Sequence, residues 1–290
     1  MTASPLARTI RETDVPIGVR VWRLPQAGFV LKTADVVVVI DPYVSDWLET
    51  ASPENPAPVT RARPSTLAPE DLALADVVLC THEHADHLDP GAIAAIAGAD
   101  GPALVVPQPL LGTVVGLGVA ATRVTGVLVD RPVDVRGVHI DALPAAHAFH
   151  PDPEAFGGYT WWRDDDGRHR AVGYVVELAG IRFFHAGDGV HWPGMEERLR
   201  ELAVDVGLLP VNGRDWRRER DGLVGNLSGR EAADLADAAD LRLVIPCHYD
   251  GIVGNTVDPA EFVAYLTATY PGRAHHLLDG ADSLLLEPRG

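Results

Sequence analysis

Four side chains that bind divalent cations well, His82, His84, Asp86 and His87, fall within six consecutive residues. They belong to the run Thr81-His-Glu-His-Ala-Asp-His-Leu-Asp89. Imidazole nitrogens and carboxylate oxygens at this density form a donor set for zinc, manganese or iron, with no thiolate required. The flanking residues say how the donors are presented. Asp76-Val-Val-Leu-Cys80 is β-branched and apolar, which predicts a buried strand. If the chain stays extended beyond it, side chains two apart share a face, so His82 and His84 can grip one ion together. Asp89 is a good helix N-cap and Pro90 suits the first helical position, so a helix is expected up to Gly98. Asp86 and His87 then lie on the turn between strand and helix, where they can face a second ion. A merely solvated loop seldom collects three histidines and an aspartate at this spacing.

The pattern His-x-His-x-Asp-His after a strand resembles the metal-binding motif of the metallo-β-lactamase superfamily. That resemblance implies three further ligands downstream, each near a strand end: a His, a bridging Asp and a His. Pro144-Ala-Ala-His147 follows the two or three strands expected across 122–143, and His147 is preferred to His150 because it lies nearer the strand end. Ala186-Gly-Asp188-Gly189 follows a probable hairpin over 172–185, and Asp188 fits the bridging aspartate. A strand over 241–246 delivers Cys247-His248, and His248 fits the last ligand. The implied arrangement has His82, His84 and His147 around one ion, Asp86, His87 and His248 around the other, and Asp188 between them. The implied fold class is α/β (α+β): an αββα sandwich, two mixed β-sheets face to face with helices outside. No linker interrupts the chain, so a single domain over 1–290 is expected.

The elements that must position these residues are legible in outline. Strands are expected over 19–24, 28–32 and 36–40, a meander leading to Asp41-Pro42. A carboxylate ending so apolar a strand needs a partner, and Asp41 is a candidate acceptor behind a metal-bound imidazole, with a plain turn residue as the equal alternative. Ser228 with Glu231 reads as a capping box opening a helix to Ala239. Two long segments, 43–69 and 151–170, read as loops. The first is rich in proline and belongs over the site mouth or at a subunit contact. The second carries Trp161 and Trp162, which cover the site or pack at an oligomer interface.

Composition narrows the partners. A chain of 290 residues with 47% hydrophobic content can bury a large core. The polar segment 1–15 lacks an apolar signal stretch and no run of 18 apolar residues occurs, so a cytoplasmic location is expected. Cys80 and Cys247 form no disulfide framework and are expected to pack in the core. The formal net charge of −17 disfavours nucleic acid and anionic membranes. A small, anionic substrate is expected, and self-association into a homo-oligomer. For such a substrate the candidates are Arg214, one of four arginines after the strand at 205–210, Asn212 as an orienting amide, and His191. His150 is expected to face substrate or solvent.

Leu209-Pro-Val-Asn-Gly-Arg214, with Asn226, Glu231, Val244-Ile-Pro-Cys-His-Tyr-Asp250 and Asp258-Pro259, resembles the L-ascorbate-6-phosphate lactonase branch. That implies two divalent ions, zinc or manganese with iron as a further candidate, and a phosphorylated sugar-acid lactone as substrate. Two such ions make hydroxide available at neutral pH, and Asp86 is the candidate catalytic residue that relays the proton. The expected activity is lactone or ester hydrolysis. The rivals are a phosphodiesterase of the same fold and a metal-binding protein without catalysis.

Overall fold

Apolar runs that do not alternate with polar residues must be covered on both faces. Val37–Ile40, Val77–Leu79, Ala103–Pro107, Val206–Pro210 and Leu243–Cys247 are such runs, and nearly every residue in them is buried. In the computed structural model, which describes residues 3–54, 58–149, 159–220 and 225–289, they form the parallel portions of two mixed sheets. The first sheet begins with β1 (Val19–Arg23), β2 (Phe29–Lys32), β3 (Val37–Ile40), β4 (Val77–Leu79), β5 (Ala103–Pro107) and β6 (Val124–Val127), side by side in chain order. The chain then crosses to β7 (Val133–Val135) and β8 (Val138–Pro144) of the second sheet. A short ribbon pairs β9 (Ala148–Phe149) with β10 (Tyr159–Thr160). β11 (Val172–Leu178) and β12 (Ile181–His185) make the expected hairpin, and β13 (Val206–Pro210), β14 (Leu243–Cys247) and β15 (Ala274–His275) add in parallel. β16 (Ser283–Leu286) returns to pair with β1, so each sheet has seven strands.

The inner faces meet in a dry core. Val38, Ile40, Val77, Leu79 and Val105 pack with Tyr174, Val176, Phe183, Leu208 and Ile245. Helices cover the outer faces. α1 (Pro5–Glu12), α2 (Pro90–Ala95) and α3 (Leu111–Gly116) lie on the first sheet. Of the later helices α4 (Met195–Glu201), α5 (Trp216–Arg220), α6 (Gly229–Ala238) and α7 (Ala260–Thr269), three, α4, α6 and α7, cover the second. This is the αββα sandwich. Among the described residues no helix is long and apolar enough to cross a membrane. Cys80 and Cys247 are buried free thiols.

Local chemistry explains the helix starts. The polar composition of the N-terminal segment hides α1: Ser4 accepts the Ala7 N–H, and Leu6, Ala7 and Ile10 form one buried stripe. Ser228 and Glu231 form the expected capping box, each side chain accepting the other's backbone N–H. Asp89 caps α2 by accepting the Ala92 N–H at 3.1 Å, and it does more. Its other oxygen accepts the N–H groups of Val44 and Ser45 at 2.9 and 2.7 Å, which ties the start of the 43–69 loop to the motif. Replacing Asp89 with Ala removes the cap, worth about 1 kcal/mol, and strands two buried N–H groups at ~1–3 kcal/mol each. Urea unfolding of Asp89→Ala should therefore show a loss of roughly 3–7 kcal/mol; a loss under about 1 kcal/mol would mean that the loop is anchored elsewhere.

Candidate metal centre

The candidate donors follow strand ends along one edge of the sandwich. Asp41 follows β3, His82 follows β4, His147 follows β8, Asp188 follows β12 and His248 follows β14. Carboxyl ends of parallel strands are where crevices open in such sheets. Ligand atoms of His82, His84, His147 and Asp188 lie within 4.8 Å of one another, and so do those of Asp86, His87 and His248. Asp188 joins the two groups, its Oδ1 being 3.1 Å from His87 Nε2 and 3.0 Å from His248 Nε2. The structure thus gathers all seven residues implied by the resemblance.

One expectation about how they gather needs correcting. His82 and His84 do not share a face of an extended strand, because β4 stops at Leu79 and the motif bends at once. The His84 carbonyl accepts the N–H groups of His87 and Leu88 at 2.9 and 2.8 Å, so the chain turns to enter α2. That bend, and not strand alternation, brings His82 Nε2 within 3.0 Å of His84 Nδ1.

Behind the donors lies a layer that aims them. Asp41 is fully buried and its Oδ2 lies 2.7 Å from His87 Nδ1. Thr81 Oγ1 donates to the same Asp41 oxygen at 2.7 Å and stands 3.0 Å from His82 Nδ1. With a proton on each Nδ1, Nε2 keeps the lone pair that a metal needs. His87 Nε2, His147 Nε2 and Asp188 Oδ1 are buried without a hydrogen-bond partner among the described residues. They approach closely without hydrogen-bond geometry, as atoms do when they aim at a shared point. Unpaired buried polar atoms cost about 1–3 kcal/mol each, and a cation among them would offset that cost. The donor set fits a divalent metal.

The two groups differ electrostatically. Burial holds His82 well below the usual imidazole value, with His87 and His84 adding to the effect, and burial pushes His147 down to about 4. Both offer lone pairs at neutral pH. In the second group burial also opposes charge, yet Asp188 and Asp86 hold His87 well above its ordinary value and raise His248 to about 9. Burial opposes ionisation of Asp86 and Asp188 too, but His87 and His248 keep both below the usual carboxylate range.

A cavity of about 230 Å³ opens onto the donors. Its floor is His84, Asp86, His147, Asp188 and His248, and its walls include Leu48, Val59, Ile252 and Asn255. The 43–69 loop therefore lies over the mouth. It is held there by antiparallel bonding to the segment after His248: Ala62 N–H to Gly251 O at 2.8 Å and Val253 N–H to Thr60 O at 2.9 Å. Trp162 stands against His84 and His147, with ring centroids 5.1 and 5.3 Å away, while Trp161 packs on Trp192 at 6.2 Å. Arg170 Nε donates to Glu83 at 2.9 Å and ties the end of the second long loop to the motif.

Other sequence-nominated residues are placed differently. Arg214, expected to meet substrate, is bound by Glu231 at 2.5 Å and lines a separate pocket with Asp258 and Phe262. His191 pairs with Glu196 at 2.7 Å and is not among the residues lining the cavity. The capping box explains the first: Glu231 turns toward the start of α6 and takes the nearest guanidinium with it. Asn212 stands one residue behind the wall, its Nδ2 donating to Asn255 Oδ1 at 2.9 Å. His150 lies outside the described residues. Sequence reading missed Gln26, whose Nε2 donates to Asp86 Oδ2 at 2.8 Å and lies 3.1 Å from His248 Nε2. It also missed Asn255. Neither carries a local signal, since both sit in short turns far along the chain from the motif.

A family described as "Beta-lactamase superfamily domain" matches residues 37–249, and the chain belongs to it. With this His/Asp cluster it is a metal-dependent hydrolase of that superfamily. A metal-dependent hydrolase of Pyrococcus furiosus is 30% identical over 250 residues, spanning 84% of this chain and 90% of that one. "Probable L-ascorbate-6-phosphate lactonase UlaG" of Escherichia coli is 27% identical over 211 residues, spanning 70% of this chain and 57% of that one. Among solved structures, the metallo hydrolase Igni18 of Ignicoccus hospitalis shares the fold with a TM-score of 0.66 at 19% identity, covering 93% of this chain and 99% of that one.

Two measurements follow. Protons on His87 and His248 compete with a cation, so affinity of the second group should rise as pH rises through about 9, the value for His248. Zinc titration calorimetry at pH 7 in buffers of different ionisation enthalpy should show proton release, and identical heats would contradict it. Asp41→Ala should weaken zinc binding about 10–100-fold, read by competition with a chromophoric chelator.

Proposed function

We propose that the chain holds two divalent cations, zinc or manganese with iron as the third candidate, and hydrolyses the ester or lactone bond of a small molecule. The observation that carries this reading is Asp188, one carboxylate shared between two adjacent groups of donors. Ions held there supply Lewis acidity and bring the pKa of water to about 7. The chain's own residues do the rest. Gln26 Nε2 donates to Asp86 Oδ2 and so fixes the carboxylate that would take the proton lost by the attacking water. Asp86 returns that proton to the leaving oxygen, so one water is consumed: its hydroxyl joins the acyl carbon and its hydrogen joins the alcohol. Asp41 and Thr81 keep His87 and His82 aimed while this happens.

The name of the Escherichia coli relative supports a lactone. The anionic substrate inferred from the arginine loop, like the phosphorylated lactone implied by the resemblance, loses Arg214 as its carrier, because that guanidinium is neutralised by Glu231. A phosphodiesterase would have its substrate's charge met by the two cations, and it is separated from an esterase by the substrate panel below. A metal-holding protein without catalysis would bind the ions and turn over nothing.

Metal content of the purified protein, followed by hydrolysis assays spanning lactones, nitrophenyl esters and bis-p-nitrophenyl phosphate, tests the proposal. Ester or lactone turnover should vanish with chelator and return with zinc or manganese. His84→Ala and Asp188→Ala should reduce it to background while circular dichroism stays native. Native rates in either variant would end this mechanism.

A further inference from the structure

Gly189, beside Asp188, donates its N–H to Asn226 Oδ1 at 2.8 Å. The Asn226 carboxamide is thereby oriented, and its Nδ2 donates to Asn212 Oδ1 at 3.0 Å. Asn212 Nδ2 then donates to Asn255 Oδ1 at 2.9 Å. Arg218 reaches that same Oδ1 at 3.0 Å and also holds the Asn212 carbonyl at 2.9 Å. Amide oxygen and nitrogen can be told apart only by their partners. Here a backbone N–H at one end and a guanidinium at the other, both donors only, impose one orientation on three amides in a row. What remains is Asn255 Nδ2. It has no acceptor among the described residues, and the side chain, 7% exposed, lines the cavity. Successive amides polarise one another, which strengthens the final N–H.

Among the described residues the rest of the wall carries no charge. Leu48, Val59 and Ile252 are aliphatic. Nearby arginines are committed to carboxylates: Arg61 to Glu49, Arg23 and Arg63 to Asp250, Arg170 to Glu83. Away from the cations that the floor would hold, a charged substituent would be desolvated against these walls without a partner, whereas an aliphatic one gains from burial. At about 230 Å³ the cavity is also smaller than the ~300–1,000 Å³ of drug-sized sites.

We infer that the cavity admits a small ester or lactone whose remainder is uncharged, and that Asn255 Nδ2 donates to its acyl oxygen. This rests on the hydrolase reading above. Arg218 is a positioning residue that acts through Asn255.

The test uses the full chain loaded with zinc and two probes, 4-nitrophenyl butyrate and 4-nitrophenyl hemisuccinate, which differ by a methyl against a carboxylate at the chain end. The kcat/KM for the butyrate should exceed that for the hemisuccinate at least about tenfold, the scale of 1.4 kcal/mol. Asn255→Ala should lower kcat/KM for the butyrate about 100-fold, mainly in kcat, with zinc content unchanged. Arg218→Met should cost less and should add nothing in the Asn255→Ala background, which a general loss of structure would not reproduce. A preference for the hemisuccinate, or native kinetics in Asn255→Ala, would overturn the inference and leave the hydrolase reading standing. If neither ester is hydrolysed and the lactones are inert as well, the hydrolase reading fails instead. Quenching of tryptophan fluorescence by the two nitrophenyl esters then decides the cavity's charge preference: tighter butyrate supports it and tighter hemisuccinate refutes it.

Discussion

A single buried carboxylate holds the centre in register. Asp41 accepts the Thr81 N–H and hydroxyl, each at 2.7 Å, and its Oδ2 meets His87 Nδ1 at the same distance. It therefore joins the end of β3 to the bend after β4 and to the second group of donors. Its backbone is left-handed, with φ of 46°, and is pinned by its N–H to Leu79 O at 2.9 Å. Aspartate tolerates that region better than most residues, and such a conformation persists only where the surroundings over-determine it. His248 repeats the arrangement on the other sheet: φ is 61° and its N–H is held by Gln26 O at 2.7 Å. The two sheets thus contribute one strained junction each, and the donors stand between them.

Charge is handled locally and not through the overall acidic balance. The chain carries a formal −17, yet in the second group histidine and aspartate balance one another. In the first group, burial leaves His82 and His147 neutral. Arginines around the mouth bind carboxylates of the same face, Asp250 taking both Arg23 and Arg63. These pairs fasten the loops that build the cavity. Their guanidinium groups are engaged in structure, and what reaches the cavity wall is an amide donor and aliphatic carbon.

Cover over the centre comes from segments remote in sequence. Val59 and Ile252 meet because residues 60–62 run antiparallel to 251–253, and Leu48 joins them from the turn that Asp89 anchors. Trp162 closes the opposite side over His84 and His147. The motif therefore supplies donors and also the anchors, Glu83 and Asp89, for both loops that enclose them.

His82, His84, Asp86, His87 and the strands that carry the donors were readable from one sequence, because spacing, β-branched runs and helix caps are local properties, whereas His147, Asp188, His248 and the sandwich followed from the family resemblance of that motif. Asp41 stood out as a carboxylate closing an apolar strand, but a plain turn residue was an equal reading, and only the packing set it against His87. Tertiary structure alone decided which arginine was free. Arg214 lies 17 positions from Glu231, and only the start of α6 brings them to 2.5 Å. The same holds for the bend that replaces strand alternation at His82 and His84, and for Gln26 and Asn255. Their neighbours lie 60 residues away for Gln26 and Asp86, and 43 for Asn255 and Asn212. A hydrogen bond across such a distance exists only once the strands that carry the two segments have come together in their sheet, so no pattern within either segment announces it.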